Sequence, residues 1–472
     1  MLVVPNIIGG EENHKNEKFP VYDYKDHDNI IHHFSAFEVN EGNLREITEI
    51  SKQGFKEWGS ISYKKKWEIF SRIQEILKER RHLFIDAHVE IGGPKWFAEY
   101  NIDNITNQIQ EYMSQLSNPD GEVCKSESAE LALAVRQPIG PVLAMSPWNA
   151  PVLLGGRSVL APLAAGCSVI AKSSERAPYV LYLLIKAFLD GGIPKNALQM
   201  VNIKPEDSAK FTDEIMKTGA IKKLNFTGST NVGKAIASTA GKYLVPCLLE
   251  LGGKNIAIVL KDADLTKAAE TIVGSAVAHK GQICMSVDIA YIDESVYDKF
   301  KVEIKKVAEN HKDDDLNQRD KLGRNKVVSL IEDALDKGAD LVYGDFNKKE
   351  IEKTNVIEPF IFENVTPEMK LYSEESFGPL FTIEKFSNVE EVVAQFNETE
   401  FGLKASIWSK NPLGALSLAK KIEAGGVHIN GSNIHDEPSL PHGGVKGSGT
   451  QRFNSKWGVD SFSFIQTITM NS

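Results

Sequence analysis

The chain has 472 residues, of which 42% are hydrophobic, 25% charged and 8% aromatic. These proportions exclude a disordered, collagen-like or disulfide-stapled chain, and at roughly 100–200 residues per domain the length predicts two to four structural units. With 54 Lys+Arg against 64 Asp+Glu the formal net charge is -10, and an acidic surface repels phosphate backbones and anionic lipid, which argues against nucleic acid and membrane as partners.

The N-terminal stretch MLVVPNIIGGEENHKNEKF has no basic start, sustained apolar core or small-residue cleavage site, so no signal peptide is expected. Residues 44–90 place apolar side chains at i, i+3 and i+4 and read as amphipathic helices. From about Val135, β-rich runs (VLAMS, SVIAK, KKLNFTG, NIAIVL) alternate with helical ones such as APYVLYLLIKAFLDGG. That alternation means βαβ units and a parallel sheet with covered faces. The longest apolar stretch, Pro151 to Ala171, contains Arg157, Pro162 and several glycines, and reads as a buried strand and helix rather than a membrane span. In a second alternating region, RNKVVSLIEDALDKGADLVYGD reads as helix then strand, and VEEVVAQFNET and LGALSLAKKIEAGG as further helices. Two α/β layers predict two domains with a ligand cleft between them. The tail VDSFSFIQTITM reads as a terminal strand that adds to an edge in the same chain or in a partner. Cys124, Cys167, Cys247 and Cys284 form no CxxC pair, which fits free thiols in a reducing cytoplasm, and nothing in the sequence calls for a metal.

The loop Phe226-Thr227-Gly228-Ser229-Thr230-Asn231-Val232-Gly233-Lys234 follows the run KKLNF and opens a helix, where backbone N–H groups freed of Cβ crowding form a phosphate site. Its spacing approaches a P-loop, but Ala235 stands where a hydroxyl would hold magnesium, and GxGxxG is absent. Those residues alone leave a tight turn and a phosphate site equally open. The segment Gly444–Gly449 lacks a strand-then-helix frame and reads as a mobile or substrate-side loop. Cys167 and Cys247 sit in apolar runs and read as inert core. Cys284 differs, lying in the polar, glycine-bearing run His279–Ser286. A free thiol titrates near ~8.5, so a nucleophilic role for it needs a base or dipoles nearby. Glu250, an acid amid apolar residues ahead of Gly252 and Gly253, suits a general base, or else a carboxylate paired with Lys254.

Together these segments resemble the aldehyde dehydrogenase superfamily: SPWN at Ser146–Asn149, KSSE at Lys172–Glu175, FTGS at Phe226–Ser229, LELGGKN at Leu249–Asn255, GQICMS at Gly281–Ser286 and EESFGP at Glu374–Pro379. The six motifs are collinear and span nearly the whole chain. The resemblance implies an α/β fold with a Rossmann-type cofactor domain over residues 1–110 and 134–248 and an α/β catalytic domain over 249–450. A β oligomerisation arm would come from 111–133 and 451–472, making a homodimer or homotetramer. It implies oxidation of a small-molecule aldehyde to the acid through a thiohemiacetal and a thioester on Cys284. Asn149 and the Cys284 backbone N–H would meet the oxyanion, and Glu250 would activate water. The cofactor, NAD or NADP, would lie against Ser146, Trp148, Lys172, Ser174, Glu175, Gly228, Ser229, Gly233, Leu251, Glu375 and Phe377. A carboxylate at Glu175 repels a 2′-phosphate, so NAD is expected over NADP, although Ser173 replaces the usual proline of that motif.

The segments Leu154–Arg157 and Val427–Gly444 resemble the vanillin, benzaldehyde and salicylaldehyde dehydrogenase branch. An aromatic aldehyde is therefore expected, in a pocket that includes Trp96, Tyr100, Arg157 and His435. The alternatives are a small hydroxy-aldehyde or semialdehyde as substrate, with Arg157 ion-paired on its helix and Trp96 in the core. A CoA-acylating enzyme would lack Glu250, a crystallin-like binding protein would have a broken Cys/Asn/Glu set, and Ala235 counts against an ATPase.

Overall fold

The computed structural model describes residues 1–14, 16–311 and 316–472. The amphipathic stretch folds as helices Glu41–Gly59, Tyr63–Glu79 and Arg81–Glu90. Asn40 and Ser62 cap the first two by accepting from the N–H groups of Asn43 and Lys65.

Five parallel strands form the heart of the first sheet, in the spatial order Leu198–Val201, Val169–Lys172, Val142–Met145, Lys223–Thr227 and Cys247–Glu250. In chain order this is 3-2-1-4-5, so the connections diverge between Val142–Met145 and Lys223–Thr227 and open a crevice at the strands' carboxyl ends. Every residue of VLAM, VIAK and LQMV is buried, as strands covered on both faces require. Helix Pro151–Ala164 covers one face, and Gly156 lets it approach the side chain of Ile105 on helix Lys95–Gln115. At the edge, Gly449–Thr450 pairs antiparallel with Cys247–Glu250.

A second sheet sets six parallel strands in the order Phe360–Glu363, Leu380–Phe386, Val287–Asp293, Asn255–Val259, Lys404–Trp408 and Gly426–Ile429, with Asp340–Tyr343 antiparallel at one edge. The two sheets are joined through residues 251–254, so Glu250 closes the first and Asn255 opens the second. A third, antiparallel sheet stands apart, with Leu131–Pro138 between Gly121–Cys124 and Ser463–Met470.

Strand pairing moves the segment edges away from those read in the sequence. Residues 111–115 complete helix Lys95–Gln115, strand Leu131–Pro138 runs through position 134, and Gly449–Thr450 belongs to the first sheet. The Gly444–Gly449 segment, expected as a mobile or substrate-side loop, instead braces that sheet: Ser448 is fully buried, its carbonyl accepts from Leu251 N–H at 2.9 Å and its hydroxyl from Gly402 N–H at 2.9 Å. Among the described residues no helix is long and apolar enough to cross a membrane.

Candidate active site

Two cavities meet at one thiol. A cleft of about 540 Å³ runs over the carboxyl ends of the first sheet, and a second cavity of about 470 Å³ lies on the other side; Asn149, Leu154 and Cys284 line both.

Cys284 is delivered by an unusual turn. Helix Leu265–Val277 ends, and His279, Lys280 and Gly281 follow with φ of 48°, 64° and 70°. Consecutive left-handed residues are costly for L side chains, so neighbours must hold them. The His279 ring stacks on Phe97 at 4.8 Å, Lys280 Nζ donates to the Gly92 carbonyl at 2.9 Å, and Gly281 lies against the Gly378 carbonyl with no room for a Cβ.

The thiol then meets its neighbours. Cys284 Sγ donates to Glu250 Oε1 at 3.3 Å. Burial, reinforced by the Glu250 carboxylate, pushes the thiol well above its ordinary range, so the resting thiol carries its proton beside a carboxylate. Asn149 Nδ2 donates to the Gln282 carbonyl at 2.9 Å, fixing the amide next to the thiol loop and leaving its second N–H for another acceptor. Glu250 does not pair with Lys254, whose Nζ donates to buried Asp288 at 3.2 Å. Of the two readings open for Glu250, the geometry keeps the one that frees its carboxylate for Cys284.

Ser146, Trp148, Lys172, Ser174, Glu175, Gly228, Ser229, Glu375 and Phe377 all line the larger cleft. Gly233 and Leu251 do not. They pack against each other beneath the turn, where a Cβ on Gly233 would overlap the Leu251 side chain. Lys172 is buried, which lowers its pKa, and its Nζ donates to the Ser173 carbonyl at 3.2 Å. Helix Thr230–Lys242 starts at the cleft from Ser229, whose side chain makes no cap, so its first N–H groups are left for a ligand. Burial pushes Glu375 up to about 7, and its Oε1 accepts from Gly253 N–H at 3.3 Å.

In the smaller cavity Trp96, Phe97 and Tyr100 form an aromatic wall facing Leu153, Leu154 and Ile434, with His435 at the rim. Trp96 is 52% exposed and so is no core filler. Arg157, expected in this lining, lies behind it: the side chain is buried, borders neither cavity and pairs with Asp436. The residue that fills its expected place is Asp436 itself, together with His442, and both were unassigned from sequence. Arg319 and Asp320, which line the larger cleft, were unassigned as well. No local pattern marks these four, because the partners that place them come from distant segments.

The aldehyde dehydrogenase family model matches residues 11–468. This chain belongs to the aldehyde dehydrogenase family. Vanillin dehydrogenase of Pseudomonas fluorescens is 34% identical over 431 residues, 89% of this chain and 88% of the relative. Salicylaldehyde dehydrogenase of Pseudomonas putida is 30% identical over 457 residues, 93% of this chain and 94% of the relative. The crystal structure of a salicylaldehyde dehydrogenase from Pseudomonas putida G7, complexed with salicylaldehyde, matches with a TM-score of 0.95 at 27% identity, covering 100% of this chain and 99% of that one. The α/β aldehyde dehydrogenase fold expected from sequence is the fold observed. Enzymes of the family act on small aldehydes with NAD or NADP, so the glycine turn at Gly228 is read within that family rather than as a P-loop.

Proposed function

We propose that this chain oxidises an aromatic aldehyde to its carboxylic acid with NAD as the hydride acceptor. The observation that carries the reading is Cys284, with Glu250 and Asn149 in reach, at the junction of a dinucleotide-sized cleft and an aromatic-walled cavity. In this reading Cys284 Sγ adds to the aldehyde carbon while its proton passes to Glu250 Oε1. The oxyanion accepts from Asn149 Nδ2 and the Cys284 backbone N–H, donors of a kind worth about 3–4 kcal/mol when preorganised. NAD, when bound, supplies the acceptor for the hydride lost by the thiohemiacetal carbon. Glu250 releases that proton to solvent before deacylation and then takes a proton from the water that adds to the thioester carbon; the C–S bond breaks with its electron pair on Sγ, and the acid leaves.

The cleft suits a dinucleotide. The free N–H groups at the start of helix Thr230–Lys242 and Ser229 would take the pyrophosphate, Lys172 and Glu175 the adenosine ribose, and Glu375 and Phe377 the nicotinamide end. Glu175 disfavours a 2′-phosphate, and neighbouring Arg176, 2.9 Å from Asp320, is already committed to a carboxylate. The wall of Trp96, Phe97 and Tyr100, together with the activities named for the vanillin and salicylaldehyde relatives, supports an aromatic substrate. The arm sheet supports a homodimer or homotetramer, and the four free cysteines a reducing cytoplasm.

The test crosses NAD and NADP with benzaldehyde, vanillin, salicylaldehyde, glyceraldehyde and succinic semialdehyde, following reduced nicotinamide by absorbance. Fast NAD reduction with the aromatic set is expected. A preference for glyceraldehyde, the semialdehyde or NADP would overturn the finer assignments, and no reduction with any pair would overturn the oxidation itself.

A further inference from the structure

Behind Glu250 lies a buried line of charged groups that the scheme above leaves unused. The side chains of Glu250, His442, Asp436 and Arg157 are 1%, 1%, 5% and 1% exposed. His442 stands between two carboxylates, with Nε2 3.6 Å from Glu250 Oε1 and Nδ1 3.4 Å from Asp436 Oδ1. Asp436 in turn pairs with Arg157 through Oδ2 and accepts from Asn454 Nδ2 at 3.2 Å through Oδ1. The ring is held from its backbone, where His442 and Phe453 exchange N–H···O bonds of 3.2 and 2.8 Å. Neither ring nitrogen makes a well-aligned hydrogen bond among the described residues, although each has a carboxylate oxygen within 3.6 Å.

An imidazole with an acceptor at each nitrogen is suited to carry a proton. Asp436 cannot compete for it: burial alone would raise that carboxyl, but Arg157 and His442 hold it well below the usual carboxylate range. Arg157 faces Tyr112 as well as Asp436, and Lys404 approaches Asp436, Glu250 and Cys284 from a neighbouring strand, its own pKa lowered by burial. In the free enzyme Glu250 Oε1 has two neighbours that exchange protons, Cys284 and His442. Once Sγ is acylated it has no proton to exchange, and among the described residues His442 is the titratable side chain left within 4 Å of Glu250 Oε1.

We infer that His442 is a positioning residue for thioester hydrolysis, oriented through Nδ1 by Asp436 and receiving at Nε2 the proton that Glu250 takes from water. As the water oxygen bonds to the acyl carbon, the C–S bond breaks and its electron pair stays on Cys284 as thiolate. The water proton moves to Glu250 and on to His442. After the acid departs, the same proton returns through Glu250 to Sγ, restoring thiol, carboxylate and neutral imidazole.

The inference rests on aldehyde oxidation being the activity, so the unaltered enzyme is measured first: no cofactor reduction with any aldehyde sinks both readings, whereas turnover followed by an unaffected variant sinks this one alone. In His442→Gln, which keeps a donor but cannot become a cation, first-turnover cofactor reduction is expected to stay within about twofold while kcat falls about 100-fold. An acyl adduct on Cys284 accumulates, read by intact-mass spectrometry. A kcat within about threefold of the parent with no adduct overturns the inference, as does a parallel fall of first turnover and kcat, the mark of a packing role. If circular dichroism shows that variant unfolded, a proton inventory of deacylation in the unaltered enzyme decides. A bowed dependence on D₂O fraction shows two protons in flight and supports the relay; a straight line overturns it.

Discussion

At Cys284 the fold places a thiol against a carboxylate at the junction of two cavities, and that pairing suppresses thiolate until the carboxylate can take the proton. Two results follow. Iodoacetamide should inactivate the free enzyme slowly near neutrality and faster as pH rises, since only thiolate reacts. Glu250→Gln removes the negative neighbour, lowers the thiol pKa and should therefore speed alkylation at pH 8, with an unchanged or slower rate counting against the electrostatic account. Asn149→Ala should lower kcat by about 10²–10³-fold, the usual effect of removing one oxyanion donor, with cofactor binding unchanged by fluorescence titration. Cys284→Ala should abolish turnover and also leave cofactor binding intact. These three residues were legible in the sequence because each sits in a compact motif of unusual composition. Arg157 was placed on the wrong side of a wall because its deciding partner, Asp436, lies 279 residues away. Helix periodicity says that residue 157 is on a helix, but not which loop returns to meet it.

The left-handed turn before Cys284 is the element on which the proposed site depends. Gly281 has φ of 70° and backs onto the Gly378 carbonyl, in the loop that carries Glu375 and Phe377. Gly281→Ala should lose about 1–3 kcal/mol from backbone strain and collision. It should lower Tm together with kcat and cofactor affinity, because one overlap displaces both loops; an unchanged Tm in thermal denaturation would contradict this. The helices and parallel strands were readable, since strands such as Val142–Met145 are apolar throughout and helix Pro151–Ala164 is apolar apart from buried Arg157 and Ser158. The turn was not, because His279 and Lys280 are ordinary residues forced into left-handed backbone by stacking and hydrogen bonding from outside. The edges of the arm sheet were likewise hidden, since Leu131–Pro138 becomes a strand by pairing with the far end of the chain.

Across the whole molecule, the arm leaves one apolar stripe in water: Phe464, Ile468 and Met470 alternate along one face of Ser463–Met470 and are 48%, 43% and 58% exposed. In the proposed homo-oligomer, charging it with Phe464→Asp and Ile468→Asp should give monomers by multi-angle light scattering, and a mass equal to that of the unaltered protein would exclude this face from the interface. The chain's closure has a separate consequence for its synthesis. The strand that ends in Glu250 is an open sheet edge until Gly449–Thr450 pairs with it, and buried Arg157 lacks its ion-pair partner until Asp436 arrives. A ribosome must therefore deliver nearly the entire polypeptide before its early half becomes stable. A nascent chain that stalls sooner exposes that edge to chaperones and proteases.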